Sequence, residues 1–257
     1  MAESSPFDPV GHESVAEAVI EQIEQMIVDG ILKEGRKLPS ERDLADAMGV
    51  SRPKLREALQ TLEQRGLIHV RHGEGSFIAQ LTGRAMSPAL LDLYARHGSA
   101  FYDYMEYRRE QEAFAARLAA ERATEADKQR LRDIVHDLQV SWENDDHEAS
   151  RDADFRLHVA VVDASQNTTL IHMMASIYDL TKQGVFYNRS FLRTMDGSGR
   201  TLLAQHIEIA DAIIAGDPDR AETASRVHMD FVEDSYRKGR EQARREALAE
   251  KRRKLSA

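Results

Sequence analysis

The sequence predicts a mainly α protein in two parts, an N-terminal winged helix-turn-helix followed by a C-terminal all-α bundle of six or seven helices. Three features carry that expectation. Apolar residues recur at helical spacing through most of the chain, and strand-like alternation is concentrated around "HGEG" near residue 72. Between residues 50 and 72 there are five Lys/Arg against two Asp/Glu, in a chain whose formal net charge is −9.

Bulk composition narrows the class. A length of 257 residues suits two domains, and 42% hydrophobic with 31% charged residues suits a helix-rich protein with real cores. There are no cysteines, which excludes a disulfide scaffold, thiolate zinc sites and cysteine nucleophiles and fits a reducing compartment. No apolar run approaches the roughly 18 residues of a membrane helix. The opening "MAESSPFDPVGHES" lacks the basic and apolar regions of a secretory signal. The expectation is a cytoplasmic chain with no membrane contact.

Along the first part, residues 14–30 place Val15, Ala18, Val19, Ile23 and Ile27 on one helical face, with Ser14 as cap and Gly30 as stop. Gly35 and Pro39 punctuate a turn; Ser40 caps a second helix, Glu41–Met48, which Gly49 ends. Ser51 caps a third, in which Leu55, Leu59 and Leu62 recur at helical spacing. A hairpin closes the unit, giving a DNA-binding domain over residues 10–80. "LTGRAMSP" predicts a linker at 81–89. The helical part covers 90–236, and a basic tail covers 237–257, with nine Lys/Arg against three Glu between Arg237 and Lys254.

A helix fits the major groove of B-DNA, and the first residues of a recognition helix reach the bases. Arg52, Lys54 and Arg56 crowd the first turns of the third helix, while Leu55 and Leu59 bury its other side. Arg42 opens the preceding helix, where backbone contact is expected, and His72 and Gly73 form the hairpin tip beside the minor groove. A single cation on a helix is usually just solvated; three within this element order point to duplex DNA.

In the second part, "DADFRLHVAVV" sets Asp154 and His158 at i and i+4, neighbours on one helical face. His206 and His228 follow on later helices. One carboxylate and three imidazoles suit Zn²⁺, Ni²⁺ or Mn²⁺, and helical bundles build metal sites from inward side chains. Spacing alone leaves the alternative open, since a lone histidine is more often a satisfied core or surface residue.

Two resemblances sharpen these readings. "LPSERDLADAMGVSRPKLREALQTLEQRGLI" resembles the DNA-binding domain of the GntR family of bacterial repressors. The resemblance implies DNA contact at Arg42, Arg52, Lys54, Arg56 and Gly73, with His72 at the wing tip. Lys54 departs from the small residue common there, which leaves the operator sequence open. "D...H.A...AS.N..L" (Asp154, His158, Asn167) and "H..I..AI.AGD...A......H" (His206, His228) resemble the FCD effector domain of the FadR subfamily. That likeness implies a divalent metal on Asp154, His158, His206 and His228, completed by a small carboxylate.

Arg108 matches the subfamily's pocket arginine, a bidentate carboxylate partner; the other reading is a salt bridge to Glu112. Tyr187, Asn188 and Arg189 are further lining candidates. Within the subfamily the chain is most similar to regulators of glycolate, lactate and pyruvate use, which implies a two- or three-carbon hydroxy- or oxo-acid, glycolate first. The whole implies a homodimer on palindromic operator DNA, with no catalytic residues.

Two other classes fit the sequence less well. A metal-dependent hydrolase would need a separate base, and none stands in a recognisable motif. A non-specific architectural DNA protein would be basic overall, and this chain is acidic.

Overall fold

The computed structural model describes residues 14–81, 100–182 and 198–255. The chain divides into two compact units, Met1–Gly83 and Arg84–Ala257.

In the first unit, α1 (Val15–Val28) starts on a capping box in which Ser14 and Glu17 satisfy each other's backbone amides. Its buried face is Ala16, Val19, Ile20, Ile23 and Ile27. Val15 and Ala18, expected on that face, are exposed. The apolar arc is centred one residue further round, because Ile20 carries more apolar area than Ala18 and decides which side turns inward. Helix α2 (Glu41–Met48) begins where the Ser40 hydroxyl accepts the Asp43 amide, and it ends at Gly49 in the left-handed region, φ +66°.

Helix α3 (Arg52–Gln64) starts at Ser51 as expected, but that side chain makes no capping hydrogen bond; Pro53 in the first turn has no N–H to satisfy. Leu55, Ala58, Leu59 and Leu62 of α3 pack on α1 and on Ala45 of α2. Strands β1 (Ile68–Arg71) and β2 (Gly75–Ile78) pair antiparallel with Ile68 opposite Ile78. Backbone bonds from Gly35 and Leu38 to β2 carbonyls, and from the Ile78 amide to Arg36, add the 35–38 segment to the wing.

The second unit is helical throughout its described residues: α4 (Ala100–Arg122), α5 (Glu125–Glu143), α6 (His147–Ala164), α7 (Thr168–Lys182), α8 (Ser198–Ala215) and α9 (Pro218–Leu255). Each break carries a turn signal. Thr124 and Asp127 form a capping box on α5, Asp146 caps α6, and Asp217 accepts the Arg220 amide at the start of α9. The core gathers Met105, Ala116, Leu131, Leu157, Met174, Ile213 and Met229. Alanines at fully buried positions on α4, α6 and α8 let these helices approach closely. Gly199 meets the ring of Trp142 so closely that a β-carbon there would lie 2.5 Å from it. Among the described residues no helix is long and apolar enough to cross a membrane. The basic stretch from Arg237 continues α9 without interruption to Leu255.

Leu62 is fully buried among α1 and α3. Leu62→Ala is expected to lower the stability of the first unit by about 2–5 kcal/mol, read by urea unfolding.

Candidate metal centre and DNA-reading helix

Three helices each deliver one imidazole to the interior of the second unit. His158 from α6, His206 from α8 and His228 from α9 are all buried, and one ring nitrogen of each lies within 4.8 Å of the others. Their ring centroids are 4.5–5.5 Å apart. Asp154, one turn before His158, brings Oδ1 to 3.1 Å from His206 Nε2 and 3.9 Å from His158 Nε2. His206 Nε2 is buried and makes no hydrogen bond, despite that nearby oxygen. Two lone-pair donors sit this way when they face a common point rather than each other. Leaving such a nitrogen unsatisfied costs about 1–3 kcal/mol, which a cation between the donors would offset.

The other ring edges are held from outside the cluster. Glu112 Oε2 lies 2.6 Å from His158 Nδ1, which places the proton on Nδ1 and leaves Nε2 to face its neighbours. Gln205 Oε1 is 3.3 Å from His228 Nδ1 and acts in the same way. Glu112 in turn accepts from Arg108, at 2.8 Å from Nε and through Nη2, so Arg108, Glu112 and His158 form a buried chain. The Arg108 guanidinium also lies over the rings of Tyr104 and Tyr178, 5.8 and 5.7 Å from their centroids.

Burial raises the Glu112 pKa, but Arg108 and His158 together outweigh it and hold the carboxyl well below its usual range. For His228, burial first and then the neighbouring His206 and His158 push the pKa well below 6.5, so it is neutral at physiological pH.

The donor set fits a divalent ion. Three imidazoles and a carboxylate match Zn²⁺, Ni²⁺ or Mn²⁺ chemistry, and two of the rings are oriented by partners on their far nitrogens. A small cavity of about 10 Å³ lies beside His158 and Glu112 and is also lined by Tyr178 and Ser225. Tyr187, Asn188 and Arg189 lie outside the described residues. His147 is exposed, and His69 stacks on Phe77 in the wing of the first unit.

In the first unit the cations of α3 reach solvent. Arg52, Lys54 and Arg56 are exposed in the first turns of α3, while Leu55 and Leu59 are buried. Lys54 pairs with Glu57 at 2.8 Å, and Arg56 makes a two-pronged contact with Glu41 of α2, Nη2 to Oε2 at 2.6 Å. The Arg56 hydrogen bonds hold the Glu41 carboxyl below its usual range. Arg42 is exposed at the start of α2 and contacts Asp43. His72 and Gly73 occupy the exposed tip between β1 and β2, where Gly73 has φ +77°. Sequence reasoning singled out these side chains but not the acids that hold them, nor Gln205 and Tyr178. Adjacency to His206 was the signal available for Gln205; Tyr178 left none.

The gntR family profile of bacterial regulatory proteins matches residues 15–78, and the FCD domain profile matches residues 103–231. The chain belongs to the GntR family and carries an FCD domain. It is 32% identical over 221 residues to the Glc operon transcriptional activator of Escherichia coli (strain K12), spanning 85% of this chain and 87% of that protein. It is also 32% identical over 237 residues to an E. coli (strain K12) regulatory protein named for the L-lactate dehydrogenase operon, spanning 91% and 90%. A solved structure, Streptococcus agalactiae GntR, aligns over 86% of this chain and all of its own, with TM-score 0.53 and 25% identity. The protein is therefore a DNA-binding transcriptional regulator.

Because the folded state keeps His228 neutral while the unfolded chain protonates near 6.5, unfolding gains protons as pH falls through that value. Stability of the chelator-treated protein is expected to be full above pH 6.5 and to decline below it. Glu112, depressed in the folded state, adds a second loss only below about 4.5. Melting temperature measured in chelator from pH 8 to 4 checks both, and a His228→Gln protein should lose the upper decline.

Proposed function

We propose that this regulator reads a specific operator with α3 and that a small hydroxy- or oxo-acid, glycolate favoured, sets its operator affinity from a metal site in the FCD domain. The observation that carries the reading is the buried convergence of His158, His206 and His228 with Asp154 beside them. Those four residues would hold the ion. A bound divalent cation supplies a fixed positive charge to which a carboxylate is drawn. Glu112 and Gln205 orient the rings, and Arg108 keeps a guanidinium within one residue of the cluster. Likeness to a regulator named for the L-lactate dehydrogenase operon favours a small acid of this class. Tyr187, Asn188 and Arg189 remain candidates for its polar end.

The division of labour follows residues 10–80 for DNA and 90–236 for effector. DNA contacts are assigned to Arg42, Arg52, Lys54, Arg56, His72 and Gly73. Arg52 and Lys54 lie at the end of α3 that enters the groove, and the helix amides there favour phosphate. A homodimer would present two such helices to a palindromic site in the cytoplasm. The acid acts only through unequal affinity for the states with and without DNA. A hydrolytic reading is disfavoured because Glu112, the carboxylate in contact with the cluster beyond the ligand set among the described residues, is already engaged by Arg108 and His158.

Titration calorimetry of the metal-loaded protein is expected to show binding of glycolate, lactate or pyruvate and none of a long acyl-CoA; binding of the acyl-CoA alone would overturn the proposal. His158→Ala should lose metal by elemental analysis, and a normal metal content would remove the site. Arg52→Ala should abolish operator retention in a gel shift while helicity and acid binding stay unchanged.

A further inference from the structure

The FCD match ends at residue 231, yet α9 runs on to Leu255. Every residue from Arg240 to Lys254 is exposed except the half-buried Glu250. Residues 237–254 hold nine Lys/Arg against three Glu, while the other 239 residues hold 26 against 41. The charge of this regulator is thus segregated, with a cationic rod on an otherwise strongly acidic chain.

The cations are also ordered around the rod. At 100° per residue, Arg237, Arg240, Arg244, Lys251 and Lys254 fall within one sector of about 100°, shared with Ala247 and the terminal Leu255, and the three Glu lie outside it. Arg237 pairs with Asp234, and Lys254 with Glu250 at 3.5 Å. Arg240, Arg244 and Lys251 make no ion pair among the described residues. Helical rise sets Arg240 and Arg244 about 6 Å apart and Lys251 about 16 Å from Arg240. Favourable interaction with the helix dipole accounts for cations in the last turn, but its effect fades within that turn and leaves Arg237, Arg240 and Arg244 unexplained.

We propose that this ridge is a second, sequence-independent contact to the phosphate backbone of duplex DNA; it rests on the DNA-binding assignment of the first unit. A duplex offers one negative charge per about 1.7 Å of axis, a close match for a line of cations. A lipid surface fits poorly, because an interfacial helix needs an apolar face. The side opposite the ridge carries Gln242, Glu246 and Arg253 instead. Phosphate contacts carry no base information, so the ridge adds affinity without changing sequence preference.

The test compares the full chain with a triple variant, Arg240→Gln, Arg244→Gln and Lys251→Gln, whose exposed positions and helix-compatible glutamines preserve the fold, checked by circular dichroism. Binding to a labelled random-sequence duplex is measured by anisotropy from 50 to 200 mM salt. Each lost phosphate contact lowers the slope of log K against log salt by about 0.9, so a difference of about two to three is expected. Equal slopes overturn the ridge proposal. A wild-type protein that binds no duplex at all would instead overturn the DNA assignment beneath it. Ridge-dependent binding to phosphatidylserine vesicles with equal DNA slopes would also overturn the proposal in favour of a lipid partner.

Discussion

A guanidinium that is 1% exposed cannot stand in a helical core without a partner, and Arg108 finds one in Glu112 a turn away. Removing one member of a buried pair costs about 3–5 kcal/mol, so the two residues enforce each other's presence. Glu112 spends its second oxygen on His158 Nδ1. That bond fixes which nitrogen of His158 faces His206 and His228. The orientation of His158 within the cluster thus depends on a charge pair that reaches it through Glu112. Of the two readings of Arg108 that the sequence left open, the folded protein shows the intrahelical salt bridge to Glu112.

The third helix follows a different logic. The cations of α2 and α3 are exposed, and their ion pairs with Glu41, Asp43 and Glu57 are of the kind worth little in water. Such pairs are readily exchanged for another anion. The apolar side of α3 does the holding instead: Leu55, Ala58, Leu59 and Leu62 anchor the helix, so its cations are presented on a rigid face rather than a flexible arm.

Much of this arrangement was readable in the sequence because it rests on local rules. Ser14, Ser40 and Thr124 mark helix starts by hydrogen bonds that close within four residues, and Gly49 marks an end by a backbone conformation few other residues tolerate. The four metal candidates were identifiable from type and spacing together with family likeness. What spacing did not supply was anything set by packing across helices. Val15 and Ala18 satisfy the helical period of α1, yet the neighbours of Ile20 decide the buried side. Gln205 and Tyr178 reach the cluster through the mutual placement of α6, α7 and α8, for which no short-range pattern exists.

One helix ties the inner cluster to the outer charge. His228 and Arg240 are twelve residues apart on α9, about 18 Å of continuous helix with no proline between them. Proline is the commonest cause of a sharp helix kink, and Gly239, which lies between the two positions, is buried. The buried imidazole and the exposed cations are therefore faces of one continuous helix, whose inner half is fixed by core packing and whose outer half is shaped by solvent and charge.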